Sequence, residues 1–281
     1  MEEEAEMQRM PSVFLGHGTP LNVLDDNVWT QSWARLASEI PTPRAILAIS
    51  AHWCTHGLGV TAMEWPPTIH DFGGFPQAMF DIRYPAPGDP KLARRVAELL
   101  APLPVVQDES WGLDHGTWSV LCKAYPEARI PVVQLSIDVR RPPAYHFEVG
   151  RRLATLRDEG VLILGSGNVV HNLMLLRRGE EFAYDWAVRF NDHVRDSLVS
   201  HQFDKLVDYA AFGEAAGLSA PTPEHFYPLL YAAGAAADDK ARVAADGVYS
   251  GAISMLSVVF GAPAMTGSLF APVKVTTSNC A

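Results

Sequence analysis

Short apolar runs with little polar alternation recur along the chain: SVFL at 12–15, AILAIS at 45–50, VVQLSI at 132–137 and VLILG at 161–165. A strand with water on one face alternates apolar and polar residues, so runs of this kind read as strands covered on both faces by helices. Strands are expected at Ser12–Leu15, Ala45–Ser50, Leu58–Ala62, Val105–Gln107, Val132–Ile137, Val161–Gly165 and Met255–Phe260. Helical patterns fall between them, at Val28–Glu39, Pro90–Leu100, Thr117–Ala124, Ala144–Asp158, Phe182–Gln202 and Glu224–Ala235. Such alternation predicts an α/β fold, a single layered domain over residues 1–281 with a mainly parallel central sheet flanked by helices. Residues 1–10 are expected to form a flexible acidic tail. In an open sheet of this type, ligands bind in the crevice at the carboxyl ends of the strands.

Composition narrows the function classes. The net charge is −10, and basic residues cluster no further than the pairs Arg140-Arg141 and Arg177-Arg178, so the basic footprint of a nucleic-acid binder is absent. The start, MEEEAEMQRM, is acidic where an export signal is basic and then apolar, and no apolar run nears the ~18 residues of a membrane span. A cytoplasmic protein is expected. Three cysteines, an odd number without CxxC spacing, indicate neither a disulfide framework nor a thiolate zinc site.

Histidines stand where the crevice would be. His17 follows the first strand between two glycines, His52 ends the AILAIS strand, and His171 follows the turn Gly165-Ser166-Gly167-Asn168. His115 sits behind Asp114, a potential helix cap, and is read either as a catalytic residue or as a buried structural ring. Thr222-Pro223-Glu224 reads as N-cap, N1 and N2 of a helix, which would put His225 in a first turn where the helix dipole favours a neutral ring. His146, His193 and His201 lie in helical patterns and read as surface or packing residues. Imidazoles without a thiolate suit Zn, Fe, Ni or Cu over Ca or Mg, and their wide dispersal favours an open catalytic centre over a closed structural one. The stretch 66–90, dense in Gly, Pro and aromatic residues, reads as a pocket wall or lid over a flat substrate.

FLGHGTP, AISAHW, TIHDFGGFP with YPAPGDP, GLDHGTW, GSGNVVHNL and EHFYPLL occur in that order from Pro11 to Phe260. Together they resemble the LigB-type class III extradiol ring-cleavage dioxygenases, in the 4,5-DOPA dioxygenase branch. The resemblance implies a non-haem metal, Fe(II) for turnover, that binds a catechol through both oxygens with O2 beside it. It implies His17, His52 and His225 as metal ligands, with His171 a catalytic histidine and potential fourth ligand, and His115 a second catalytic histidine. Many class III relatives carry glutamate as the third ligand; His225 in that place also makes a good zinc site, and zinc has no redox chemistry. On this reading His171 removes a catechol proton and later returns one, while His115 hydrogen-bonds the bound oxygen or a substrate hydroxyl. Asp71, Phe72, Phe75 and Tyr84 are candidates for lining the ring pocket, and Arg83 for meeting a substrate carboxylate. The partners expected are a small catechol and O2, with the chain a monomer or homodimer, and the product a muconic semialdehyde. A zinc-dependent hydrolase and a Memo-like, non-enzymatic metal-binding protein are the alternatives.

Overall fold

A computed structural model describes residues 8–177 and 182–262. The first seven residues of the expected acidic tail, and Cys280, lie outside the described residues. In chain order the strands are β1 (Ser12–Gly16), β2 (Ala45–Thr55), β3 (Leu58–Thr61), β4 (Val105–Asp108), β5 (Val132–Asp138), β6 (Val161–Gly167), β7 (Ala241–Ala245), β8 (Val248–Tyr249), β9 (Ile253–Ser254) and β10 (Ser257–Phe260). The helices are α1 (Val28–Glu39), α2 (Gln77–Asp81), α3 (Pro90–Leu100), α4 (His115–Ala124), α5 (Pro143–Leu153), α6 (Thr155–Asp158), α7 (Asp185–Val199), α8 (Phe203–Val207), α9 (Glu214–Ser219) and α10 (Tyr227–Ala236).

The main sheet runs β4-β3-β5-β2-β6-β1-β10-β7, while β8 and β9 pair separately. Its centre, β5-β2-β6-β1, is parallel throughout, with Ile46 level with both Val132 and Leu162 and Val13 level with Leu164. Antiparallel pairs appear only toward the margins, where β3 meets β5, and β10 meets β1 and β7. Along the central strands alternate residues feed two apolar layers. Phe14, Leu47, Ile49, Val133, Leu135 and Ile163 face the layer closed by α3, α5, α7 and α10. Val13, Leu15, Ile46, Ala48, Val132, Leu162 and Leu164 face the other layer, with Trp33 and Leu36 of α1 and Trp118 and Leu121 of α4. Burial on both faces is what the unalternating runs demanded. Among the described residues no helix is long and apolar enough to cross a membrane.

Several boundaries differ from expectation for local reasons. The helix expected at Ala144–Asp158 divides at Ala154 into α5 and α6, and α4 begins two residues early because the Asp114 carboxylate accepts from the Thr117 N–H. The helix expected from Glu224 starts at Tyr227. Thr222 does not cap it: its hydroxyl donates to the Glu224 carboxylate, and the Pro223 carbonyl closes a turn on the N–H groups of Phe226 and Tyr227. His225 therefore sits in the turn ahead of the helix. β7 was not expected, its five residues AR VAA being broken by an arginine, and it serves as an antiparallel edge.

Arg157 ties the N-terminal segment to this frame. Its guanidinium, fully buried, donates to the carbonyls of Met10 (2.7 Å), Ala235 (2.7 Å) and Ala236 (3.2 Å) and pairs with Asp239. The Met10 N–H returns a bond to the Arg157 carbonyl at 2.9 Å. Removing the fork takes the partner from the Met10 and Ala235 carbonyls, while the Ala236 carbonyl keeps the Asp239 N–H at 3.1 Å. Arg157→Ala is expected to cost about 3–5 kcal/mol and to lower Tm by roughly 10 °C in thermal unfolding, and a loss under about 1 kcal/mol would contradict this account.

Candidate metal centre

The carboxyl ends of β1, β2 and β6 deliver the first elements of the site. β1 and β6 end in register at Gly16 and Gly167, and the His17 N–H donates to the Gly167 carbonyl at 3.0 Å. The His17 ring places Nδ1 3.0 Å from Ser166 Oγ, whose own proton goes to the Gly116 carbonyl at 2.5 Å. Ser166 must then accept, so the His17 proton lies on Nδ1 and the Nε2 lone pair is free. His52 rides on an irregularity in β2. Ile49 pairs with Leu135 and Cys54 with Ile137, leaving residues 50–53 opposite the single residue Ser136. Bulges of this sort turn a side chain out of the regular alternation, here into the crevice. Gly116 makes room for it, since a Cβ there would collide with Ser50 Oγ and the His52 ring.

His225 arrives from the turn before α10. Its carbonyl accepts from the Asn168 N–H at 2.8 Å, and Gly167 packs so closely on that carbonyl that a Cβ would overlap it. Its Nδ1 donates to Glu224 Oε1 at 3.1 Å, and its Nε2 is buried without a hydrogen-bond partner. His171, fixed by its N–H to the Ser219 carbonyl at 2.8 Å, lies flat on His225 with ring centres 3.4 Å apart and planes 7° from parallel. His115 opens α4 and is held by Asp71, whose Oδ1 accepts from the His115 backbone N–H (2.8 Å) and whose Oδ2 accepts from Nδ1 (2.9 Å).

The five rings thus meet in one buried cluster. The centres of His17, His52 and His225 form a nearly equilateral triangle with sides of 5.2, 5.4 and 5.0 Å. The Nε2 atoms of His17 and His52 are 3.4 Å apart. A tetrahedral ion with metal–nitrogen bonds of about 2.0–2.1 Å sets its ligand nitrogens roughly 3.3 Å apart and the ring centres roughly 5 Å apart. The ring-centre spacings suit such an ion, and the buried Nε2 of His225 has no hydrogen-bond partner for an ion to displace. Ligand atoms of His171, Glu224 and His225 lie within 4.8 Å of one another. One nitrogen each of His17, His52 and His115 also fall within 4.8 Å of one another, but those ring centres are unevenly spaced, from 3.8 to 6.0 Å, and His115 Nδ1 is taken by Asp71.

Electrostatics agree with neutral ligands. Burial, and then the neighbouring rings, hold His17 and His225 well below the ordinary histidine pKa. Burial, and then His115, push His52 down to about 3, and burial lowers His171 to about 4 against the pull of Glu224. Burial by itself would raise Asp71, but its hydrogen bonds and charge interaction with His115 prevail and keep its carboxyl below the ordinary range. Burial, followed by the nearby Asp71 charge, raises Asp114 to about 6.

The aromatic stretch takes its place beside the cluster unevenly. Phe72 stands edge-on to the His115 ring at 5.5 Å, and Phe75 packs behind Phe72 at 5.1 Å. Tyr84 does not line the site: it is buried in the core, where its hydroxyl donates to the Tyr125 carbonyl at 2.9 Å. Asp71, expected on the pocket wall, instead has both oxygens on His115. Arg83 donates to the carbonyls of Phe80 and Ile82 just past α2, away from any role toward the histidines. His146 is a packing residue, its ring bonded to Tyr231 Oη and the Arg141 carbonyl. Sequence reasoning missed Ser166, Glu224 as a partner of His225, and the β2 irregularity. The only sequence signal for Ser166 is the GSGN turn itself, and Glu224 reads in the sequence as a first-turn helix residue rather than as a partner of His225.

Comparison with known proteins identifies the family of the chain. The family model described as the catalytic LigB subunit of aromatic ring-opening dioxygenase matches residues 11–261. The chain is 54% identical over 259 residues to 4,5-DOPA dioxygenase extradiol of Escherichia coli (strain K12), covering 90% of this chain and 95% of that one. It is 39% identical to the protein of the same name from Beta vulgaris, over 80% of this chain and 87% of the relative. The crystal structure of an uncharacterized protein from Escherichia coli K12 superposes with a TM-score of 0.79 at 49% identity, covering 90% of this chain and all of the other. With the match running across every strand of the main sheet, the chain belongs to the LigB family of aromatic ring-opening dioxygenases.

Proposed function

We propose that this enzyme is an extradiol dioxygenase that opens a DOPA-like 3,4-dihydroxyphenyl ring at a non-haem metal held by His17, His52 and His225. The observation that carries the reading is the triangle of three neutral rings with two further histidines beside it. The printed names of the Escherichia coli and Beta vulgaris relatives supply the substrate class. Overall, catechol and O2 give a muconic semialdehyde: the carbon–carbon bond beside the diol breaks, one oxygen atom ends in the new aldehyde and the other in the new carboxylate. Fe(II), when bound, supplies the redox contact between catechol and O2; zinc in the same ligands lacks it.

The chain's own residues prepare this step. Ser166 and Glu224 hold protons on the Nδ1 atoms of His17 and His225, so both rings turn Nε2 inward. His171 enters the reaction uncharged, because burial keeps its pKa near 4. No protein hydrogen bond engages its ring nitrogens among the described residues, so it is able to accept a proton from a substrate hydroxyl and return it as the ring opens. His115 lies across the cluster, 6.0 Å from His17 between ring centres, in place to accept a hydrogen bond from the second hydroxyl. Phe72 gives the flat ring an aromatic edge to pack on.

Three outcomes follow. Protein reconstituted anaerobically with Fe(II) and then given L-DOPA in air should consume O2 and generate a yellow product, while the Zn(II) form should not; an Fe(II) form inert toward every catechol in a panel would overturn the reading. His171→Ala should lose at least ~100-fold in kcat while binding metal normally, and full turnover in that variant would remove His171 from the mechanism. Ser166→Ala should weaken metal binding roughly 10–100-fold in a chelator competition, by releasing the His17 ring from its inward tautomer.

A further inference from the structure

Two carboxylates flank His115, and their geometry separates them. Asp114 is its neighbour in sequence but points into the core, accepting from the Thr117 N–H and engaging Gln134 and Ser50. Asp71 lies 44 positions away and reaches both the backbone and the ring of His115. The reach is built into the chain. Thr68 bridges Leu113 in parallel, the Ile69 N–H donates to the Leu113 carbonyl at 2.7 Å, the Leu113 N–H donates to the Pro67 carbonyl at 2.8 Å, and Trp118 Nε1 donates to the Ile69 carbonyl at 2.8 Å. This short zipper docks the aromatic stretch on the start of α4 and sets the Asp71 carboxylate against His115. A carboxylate accepts only, so Nδ1 must donate, and the nitrogen left to the site is Nε2. Asp71 Oδ2 also lies 3.6 Å from His52 Nδ1, too far for a hydrogen bond.

We propose that Asp71 is a positioning residue for ring opening: it fixes His115 as the Nδ1–H tautomer, so that Nε2 meets the catechol as a hydrogen-bond acceptor. This rests on the proposed catechol dioxygenase activity, while the tautomer itself does not. Asp71→Asn isolates the effect. The amide oxygen still accepts the backbone N–H of His115, but the amide nitrogen donates to Nδ1 and drives the ring proton to Nε2, making the inward nitrogen a donor.

The test uses the full chain loaded with Zn(II) and labelled with 15N-histidine, His115 being identified by comparison with His115→Gln. Long-range proton–nitrogen spectra should show a protonated Nδ1 and bare Nε2 in the wild type, exchanged in Asp71→Asn. With Fe(II), Asp71→Asn should lose at least ~100-fold in kcat, as expected for a misplaced acid–base group, with KM within about threefold. Asp71→Glu, which keeps a carboxylate acceptor, should recover turnover to within about tenfold of the wild type, and stands in if the asparagine variant fails to fold. A wild-type His115 protonated on Nε2, or an Asp71→Asn enzyme of normal kcat, overturns the proposal. So does a 10–100-fold loss of metal affinity in Asp71→Asn, which would place its action on His52. A wild type that consumes no O2 with any catechol sinks the functional reading alone, and the spectrum still decides the tautomer.

Discussion

His17, His52, His171 and His225, packed within a few ångströms of one another, can share this crevice only while uncharged. Each positive charge added there would lose its hydration and face its neighbours through a medium that screens poorly. Burial accordingly heads the causes that lower His17, His52, His171 and His225, with ring-to-ring repulsion behind it for the three proposed ligands. The same condition makes the cluster suitable for a cation, since an uncharged imidazole offers a lone pair and a charged one does not. What suppresses the protons therefore also prepares the site.

Neutrality alone leaves open which nitrogen of each ring faces inward, and the surrounding shell decides that. Ser166 settles His17 only because its own proton is committed to the Gly116 carbonyl. Glu224 settles His225, and Asp71 settles His115. These partners come from the end of β6, from the turn before α10 and from the aromatic stretch, so the orientation of the rings depends on elements far apart in the chain meeting correctly. Gly116 and Gly167 permit that meeting at the two points where backbone and side chain crowd most.

The fold was legible because burial on both faces leaves a mark that needs no partner to be read: VLILG and AILAIS have no solvent side to spare. α1 and α3 could be placed to the residue for a similar reason, Asn27 and Asp89 each capping a helix with its own side chain. Positions of the histidines relative to strand ends were equally visible. What escaped was relational. The start of α10 moved because the Thr222 hydroxyl had a competing acceptor in Glu224, a choice that propensity cannot register. Tyr84 carries the same ring as a pocket residue would, yet the Tyr125 carbonyl and the apolar layer claim it. Asp71 and Ser166 act through residues 44 and 149 positions distant, and no local pattern encodes such pairings.

The balance of charge gives the arrangement its direction. On the proposed assignment, three neutral ligands would leave a divalent ion with its full charge, where a histidine–histidine–carboxylate set would cancel part of it. The proposed ligand His225 has a negative charge behind it, at Glu224. Carboxylates in that position strengthen the imidazoles as donors without occupying the ion's own coordination sites. An anionic ligand with two adjacent oxygens then becomes the group best able to neutralise the centre, and a deprotonated catechol is such a ligand. On that assignment, a histidine where a carboxylate could ligate would shift the demand for negative charge from the protein to its substrate.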